Sequence, residues 1–351
     1  MNTQLLSIEE HAGQVYKKAG TVLINGGLVA FPTETVYGLG ADALNTEAAA
    51  KIYAAKGRPS DNPLIIHIAN VEAIRDLSVD TPEIAWKLAK QFWPGPLTMV
   101  LNKSEKVPFG TTGGLDTVAI RMPNHPVALR LIAESGCYIA APSANTSGRP
   151  SPTLAEHVWE DLNGKIDYIL DGGQVSVGIE STIIDLTGDV PTILRPGCIT
   201  KEMLEQAVGT VEIDPAIVSD KGAPCGKPKA PGMKYKHYAP MADMTIFTGN
   251  RTSVVKRIKE ETQKAVEKGW KVGILATDET INEYTAGQLR SIGSRQEEGS
   301  VARGLYKVLR EFDHMRVDVI FAESFDEDPL GEAIMNRMKK AAGYSIVNVE
   351  G

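Results

Sequence analysis

Ala141-Pro-Ser-Ala-Asn-Thr-Ser-Gly-Arg149 follows directly on the apolar run at residues 138–141. A short apolar run bounded by turn residues reads as a buried strand, which makes the polar stretch the loop at its end. Its small residues let a ligand approach the main chain, Ser143 and Ser147 carry rotating hydroxyls, Asn145 donates and accepts, and Arg149 offers a planar cationic fork. Such a loop suits a nucleotide phosphate or an amino-acid carboxylate. The same residue types also build ordinary surface turns, so both readings stand at this point. Asn145-Thr146-Ser147 fits a glycosylation acceptor, but the N-terminus opens with polar Met1-Asn2-Thr3-Gln4 in place of an apolar signal segment, and that reading drops out.

Outward from this loop, strand patterns fall at 28–31, 64–68, 97–101, 117–122, 168–170, 181–186 and 192–194. Helix patterns lie between them. Ser7-Ile8-Glu9-Glu10 reads as a capping box, Thr46 as the cap of a helix reaching 55 with Gly57 past its end, and Pro82 as the first residue of a helix to 92. Further helices are expected at 126–134, 154–162 and 199–208. Residues 32–38 read as a loop. The alternation predicts an α/β domain over 1–209 whose adjacent late strands make the sheet mixed. Residues 210–240, punctuated by Gly and Pro, read as a linker or lid, and 241–351 alternates strand and helix as a smaller Rossmann-like domain.

Composition narrows the function classes. With 351 residues, 42% hydrophobic and 23% charged, the chain has the make-up of a globular enzyme, and no apolar run approaches the ~20 residues of a membrane helix. A cytoplasmic location is expected. Three scattered cysteines without a Cys-x-x-Cys, and six histidines without metal-binding spacing, support neither a disulfide framework nor a protein-bound metal. A net charge of −7 argues against a broad duplex-gripping face. Within 210–240, however, Lys221, Lys227, Lys229, Lys234 and Lys236 make a locally basic segment able to close over an anion.

Gly38-Leu-Gly40-Ala-Asp-Ala43 matches the dinucleotide fingerprint in letters, yet no strand directly precedes it and no helix opens on it, and a Walker loop is absent. Lys56-Gly-Arg58 places two cations two residues apart beside Asn62, a clamp for a triphosphate or a solvated helix end. Arg121 lies within an apolar strand where a lone charge is expensive, so it needs an anion: a protein carboxylate or a substrate carboxylate. His67 sits on an alternating strand as core residue or ligand.

Pro32-Thr-Glu-Thr-Val-Tyr-Gly-Leu-Gly40, Lys56-Gly-Arg-Pro59, Trp93-Pro-Gly-Pro-Leu-Thr98, Arg121-Met-Pro123, Ala141-Pro-Ser-Ala-Asn-Thr-Ser-Gly148, Glu180-Ser-Thr182 and Leu194-Arg-Pro-Gly197, in this order, resemble the YrdC-type threonylcarbamoyl-adenylate synthase family. Pro231-Gly-Met-Lys-Tyr-Lys-His-Tyr-Ala-Pro240 and the tail that follows are similar to its long two-domain form. The resemblance implies an α/β fold with a YrdC-like twisted mixed sheet, helices around a large concave cavity, and a smaller Rossmann-like α/β domain. It also implies a nucleotidyltransferase joining L-threonine, bicarbonate or CO2, and ATP into threonylcarbamoyl-AMP with release of pyrophosphate. The product serves N6-threonylcarbamoyladenosine formation at position 37 of tRNAs reading ANN codons and passes to a tRNA threonylcarbamoyl-transferase complex.

By motif matching, threonine binding maps onto Thr35, His67, Arg121, Ala141 and Ser181. ATP binding maps onto Lys56, Arg58, Asn62, Thr117, Ser143, Ser151 and Arg195, with Tyr235 and Tyr238 from the lid. Lys56 and Arg58 are the expected catalytic cations. No tightly bound cofactor or protein metal site is expected; ATP arrives as a substrate with Mg2+. Direct nucleic-acid binding is expected to be weak or absent, and membrane contact absent. The alternatives are a related carbamoyltransferase and a noncatalytic RNA-binding module.

Overall fold

The computed structural model describes residues 2–8, 12–218, 230–231, 237–297, 299–325 and 330–349. Two units separate: Met1–Ser147, Ser151–Ser176 and Glu180–Tyr235 form the first, and Gly148–Pro150, Val177–Ile179 and Lys236–Gly351 the second. Of the stretch 210–240 read as linker or lid, the described residues 210–218 and 230–231 fall in the first unit and 237–240 in the second.

Eleven strands build the first unit's sheet: β1 (Gln4–Ser7), β2 (Val29–Phe31), β3 (Gly38–Asp42), β4 (Ile65–His67), β5 (Leu97–Asn102), β6 (Thr117–Arg121), β7 (Ile139–Ala140), β8 (Tyr168–Asp171), β9 (Thr182–Asp185), β10 (Thr192–Arg195) and β11 (Glu212–Ile213). Their order is β1-β8-β2-β3-β7-β4-β6-β5-β9-β10-β11. The sheet is mixed, as expected: β4 runs parallel to β6 and β5 to β9, whereas β6 and β5 are antiparallel.

Successive strand residues point to opposite faces, and here the two faces differ in chemistry. Ile66, Leu97, Met99, Leu101, Val118, Ile120, Ile184 and Ile193 enter the large core, which is completed by helices such as Thr46–Lys56, Glu83–Phe92 and Ala155–Leu162. On the other face, Val29, Phe31 and Ile139 pack under the helices Ala12–Ile24 and Pro126–Ser135. Toward β4, β6, β5, β9 and β10 that same face carries a thinner apolar floor of Ile65, Val100, Ala119, Ile183 and Leu194, on which Ala230 is seated.

Several expectations need correction. Gly38–Asp42 is a strand antiparallel to β2, which is why the dinucleotide fingerprint fails: its glycines sit inside a sheet, away from any turn into a helix. A Cβ on Gly40 would stand 2.7 Å from Ile139 Cγ2 and 2.8 Å from Phe31 Cε1. The first strand, β1, pairs with β8 and was not legible, its period being too short. Ser7 ends that strand, and the rest of the expected capping box runs into 9–11, outside the described residues. Asn45, whose side chain accepts from the Glu47 and Ala48 amides, caps the helix assigned to Thr46, while Gly57 ends it in the left-handed region at φ 62°. Pro82 is the cap preceding Glu83–Phe92. Within 210–240, β11 pairs with β10 and Val211 is buried in the core, so part of that stretch is sheet.

The second unit holds β12 (Asp243–Gly249), β13 (Val272–Ala276), β14 (Gln288–Ser291), β15 (Val319–Glu323) and β16 (Ile346–Val349) in the order β14-β13-β15-β12-β16. Every pairing is parallel. The helices Arg251–Glu267, Ser300–Met315 and Gly331–Ala341 make this the Rossmann-like unit expected, although β14 and β16 were missed because their side chains are only half-buried and do not alternate. Among the described residues no helix is long and apolar enough to cross a membrane.

Gly40→Ala is expected to destabilise the first unit by about 1–3 kcal/mol, because the new methyl meets a fully buried ring and a buried branched side chain. Urea denaturation checks this; an unchanged midpoint would refute the close-packing role of Gly40.

Candidate active site

The period-two rule that places Ile65, Val100, Ala119 and Ile183 on the thinner floor also sends His67, Thr98, Thr117, Arg121 and Ser181 to that face. Four residues assigned from separate motifs, His67, Thr117, Arg121 and Ser181, thus share one side of the sheet. His67 is in register with both Arg121 on β6 and Ile139 on β7. Ala141, just past β7, donates its amide to the Ile65 carbonyl at 2.8 Å.

Arg121 is buried at the end of its strand, and its guanidinium draws three segments together. Nη1 donates to Thr35 Oγ1 at 3.0 Å and Nε to the Gly95 carbonyl at 3.4 Å. Nη2 lies 2.6 Å from Glu34 Oε2, with the two side chains only 5% and 6% exposed. That separation makes an ion pair; beyond it, Nη2 and both Glu34 oxygens have no hydrogen-bond partner among the described residues. Of the two anions left open for Arg121, the protein supplies one. Glu34 was quoted within the Thr33-Glu34-Thr35 motif but overlooked as a site residue; its signal was an acid beside a residue already assigned to the site.

His67 is neutral. Burial, reinforced by the positive charge of Arg121, lowers its pKa to about 3. Its Nδ1 donates to the Ile65 carbonyl at 3.1 Å. Burial also lowers the pKa of His125, against the opposing pull of the Glu34 charge.

The neighbouring strands carry a second cluster. Ser181 Oγ lies 2.8 Å from Thr98 Oγ1, and Arg195 donates Nε to the Ser181 carbonyl at 3.0 Å and Nη2 to Ser181 Oγ at 3.1 Å. Arg195 Nη1 reaches the Pro231 carbonyl at 3.5 Å, so the described residues Ala230 and Pro231 lie buried beside it. Next to Ser181, Glu180 Oε1 accepts from Ser151 Oγ at 2.6 Å. Thr98, Glu180 and Pro231 were not assigned from sequence; only the fold makes them neighbours.

The loop 141–149 is fixed from below. Lys56, buried at the end of its helix, donates Nζ to the Ser143 carbonyl at 2.5 Å and to the Asn145 carbonyl. Ser143 Oγ donates to Asn145 Oδ1 at 2.5 Å, and buried Asp161 takes the Thr146 amide at 3.1 Å. Ser143 also bridges to Gly38, joining this loop to the 32–38 segment. Arg58 donates to the carbonyls of Asn62 at 3.3 Å and Pro63 at 3.1 Å. Lys56 thus spends donors on the loop 141–149, and Arg58 on its own loop. Asn62 Oδ1, by contrast, is buried without a partner among the described residues.

Arg149 belongs to the second unit and pairs with buried Asp313 at 3.3 Å, so its fork is not an open element of the loop. Tyr238, also in the second unit, is buried and stacks on Tyr306 with ring centroids 5.3 Å apart. Tyr235, Lys234 and Lys236 lie outside the described residues. Among the described residues no group of three or more His, Cys, Asp and Glu is arranged to hold a metal.

Comparison with known proteins follows this geometry. Residues 21–197 match the Sua5_yciO_yrdC family model, described as telomere recombination, and 199–343 match the model of the threonylcarbamoyl-AMP synthase C-terminal domain. The chain is 53% identical to the threonylcarbamoyl-AMP synthase of Pyrococcus abyssi over 92% of its own length and 93% of the relative's. To the Bacillus subtilis threonylcarbamoyl-AMP synthase it is 51% identical, covering 94% and 93%. The crystal structure of P. abyssi Sua5 complexed with L-threonine superposes with a TM-score of 0.93 at 49% identity, covering 100% of both chains.

Because the folded pKa of His67 lies below its ordinary 6.5, its stability contribution is whole above pH 6.5 and declines as pH falls toward about 3. The His67 ring resonances are expected to stay at their neutral position from pH 8 to pH 5. A titration midpoint near 6.5 in NMR would contradict the buried, Arg121-facing environment.

Proposed function

This chain belongs to the threonylcarbamoyl-AMP synthase family, and we propose that it is the enzyme joining L-threonine, bicarbonate or CO2, and ATP into threonylcarbamoyl-AMP and pyrophosphate. The observation that carries the reading is the gathering of His67, Thr117, Arg121 and Ser181 on one sheet face, with Thr35 hydrogen-bonded to Arg121. A relative of 49% identity has been crystallised with L-threonine, which supports L-threonine as a substrate.

In this reading the α-carboxylate of L-threonine meets Arg121, which Thr35 holds in place, near neutral His67, Ala141 and Ser181. ATP lies toward Asn62, Thr117, Ser143, Ser151 and Arg195. Asn62 offers an acceptor that the protein leaves unused. Lys56 acts chiefly by fixing Ser143 and Asn145 where a triphosphate can use them, and with Arg58 it keeps the local potential positive. Arg58 completes the nucleotide side, and Tyr235 or Tyr238 would enter only with the lid. Mg2+ accompanies ATP as part of the substrate.

The neutral amine of threonine attacks CO2, and the carbamate so formed uses an oxygen to displace pyrophosphate from the α-phosphorus. No covalent enzyme intermediate is required: holding carbamate and α-phosphate in line and neutralising charge account for the acceleration. Free carbamates lose CO2 in water, so the buried setting of Arg121 and His67 protects the intermediate. The product then serves adenosine 37 modification in tRNAs reading ANN codons, through a separate transferase in the cytoplasm.

Pyrophosphate release with ATP, bicarbonate and one amino acid at a time tests the proposal. L-Threonine should outperform L-serine by about tenfold or more, the value of one methyl group in a fitted pocket. Indifference to the amino acid refutes the substrate assignment. Arg121→Lys should raise the threonine KM by about tenfold while sparing ATP, and Arg58→Lys should do the reverse, as the loss of a charge-assisted hydrogen bond predicts. Equal losses for both ligands would mean that the two sides of the site are misassigned.

A further inference from the structure

The carboxylate of Glu34 is 6% exposed, pairs with Arg121 by charge at 2.6 Å, and yet accepts no hydrogen bond among the described residues. An ionised carboxylate has about four acceptor positions, and burying it with none of them used is costly. The neighbouring hydroxyls offer no remedy. Thr33 Oγ1 donates to the Val36 carbonyl at 2.7 Å, and Thr35 Oγ1 is taken up by Thr33 and by the guanidinium of Arg121. Arg121 in turn spends Nη1 on Thr35 and Nε on Gly95. The protein thus holds a buried cation and a buried anion side by side, neutral as a pair, with hydrogen-bonding capacity left over on each.

An amino acid is the ligand whose charges complement such a pair: its α-carboxylate is an acceptor for Arg121, and its α-ammonium brings three N–H donors to the carboxylate. We propose that Glu34 is the binding residue for the α-ammonium group of the substrate, so that the Arg121–Glu34 pair reads the zwitterion as a unit. A site with Arg121 alone would accept any small carboxylate of the right shape. Adding Glu34 selects carboxylates that carry an adjacent amine, the group that must become the carbamate nitrogen. The inference rests on the amino-acid site of the proposed function and adds to it the determinant that excludes hydroxy acids lacking the amine.

The test compares L-threonine with (R)-3-hydroxybutanoate, which keeps the carboxylate, hydroxyl and methyl but lacks the amine. Calorimetric dissociation constants for both are measured with the full-length wild type, Glu34→Gln and Glu34→Asp. The wild type should prefer L-threonine. Glu34→Gln should cut that preference by about tenfold or more, the loss expected for a charge-assisted hydrogen bond, while (R)-3-hydroxybutanoate binds as well or better; Glu34→Asp should restore part of it. An unchanged preference, or equal weakening of both ligands, overturns the inference, the latter because Glu34 would then only position Arg121. Should the variants not fold, a crystal of the wild type with L-threonine decides: an amine farther than 3.5 Å from both Glu34 oxygens overturns it. If the wild type does not bind L-threonine at all, the proposed function fails as well, an outcome distinct from threonine binding with an unaltered preference in Glu34→Gln.

Discussion

Burying the guanidinium of Arg121 imposes a condition that much of the first unit is arranged to meet. A fixed fork of donors inside a sheet has to be surrounded by acceptors, and these come from distant places in the chain: Thr35 and Glu34 from the segment after β2, and the Gly95 carbonyl from the turn before β5. The Gly95 amide returns a bond to the Met122 carbonyl at 2.8 Å, next to Arg121 itself. One cation thereby ties two loops to the end of β6. Well-packed apolar residues would stabilise this place at least as well, so the pair is weak evidence of stabilisation.

The strand geometry separates the tasks of folding and binding. Odd and even positions of β4, β5, β6 and β9 face opposite ways, one set supplying the main core and the other a thin floor of Ile, Val and Ala edged by polar side chains. Core energetics can thus be satisfied by one face, and the other is free to carry polar groups that cost stability. Ala230 and Pro231 show that the segment after β11 also reaches this face, although in sequence it looks like a tether.

Charge in the loops is used in an indirect way. Lys56 and Arg58 sit in an acidic protein, where cations pointing at solvent would be unremarkable, yet both turn inward and bind backbone carbonyls. They tie down the loops 143–147 and 58–63. Asp161 anchors the adjacent Thr146, so the loop is held by two buried charged groups.

The chain's own letters determined the α/β class, the mixed first sheet, the parallel second sheet and the motifs that carry the site, because apolar periodicity and turn chemistry are local properties. They did not reveal β1, β11, β14 or β16, which are short or half-exposed, nor β3, whose two glycines give no strand signal although it is buried; all five owe their conformation to a neighbour's hydrogen bonds. They also left open which anion answers Arg121. Only the tertiary structure could put Glu34 against it, just as it gave the donors of Lys56 to Ser143 and Asn145 and the fork of Arg149 to Asp313. Pairing between residues some 90 or 160 positions apart depends on strand order and register, and neither is encoded in any one stretch of the chain.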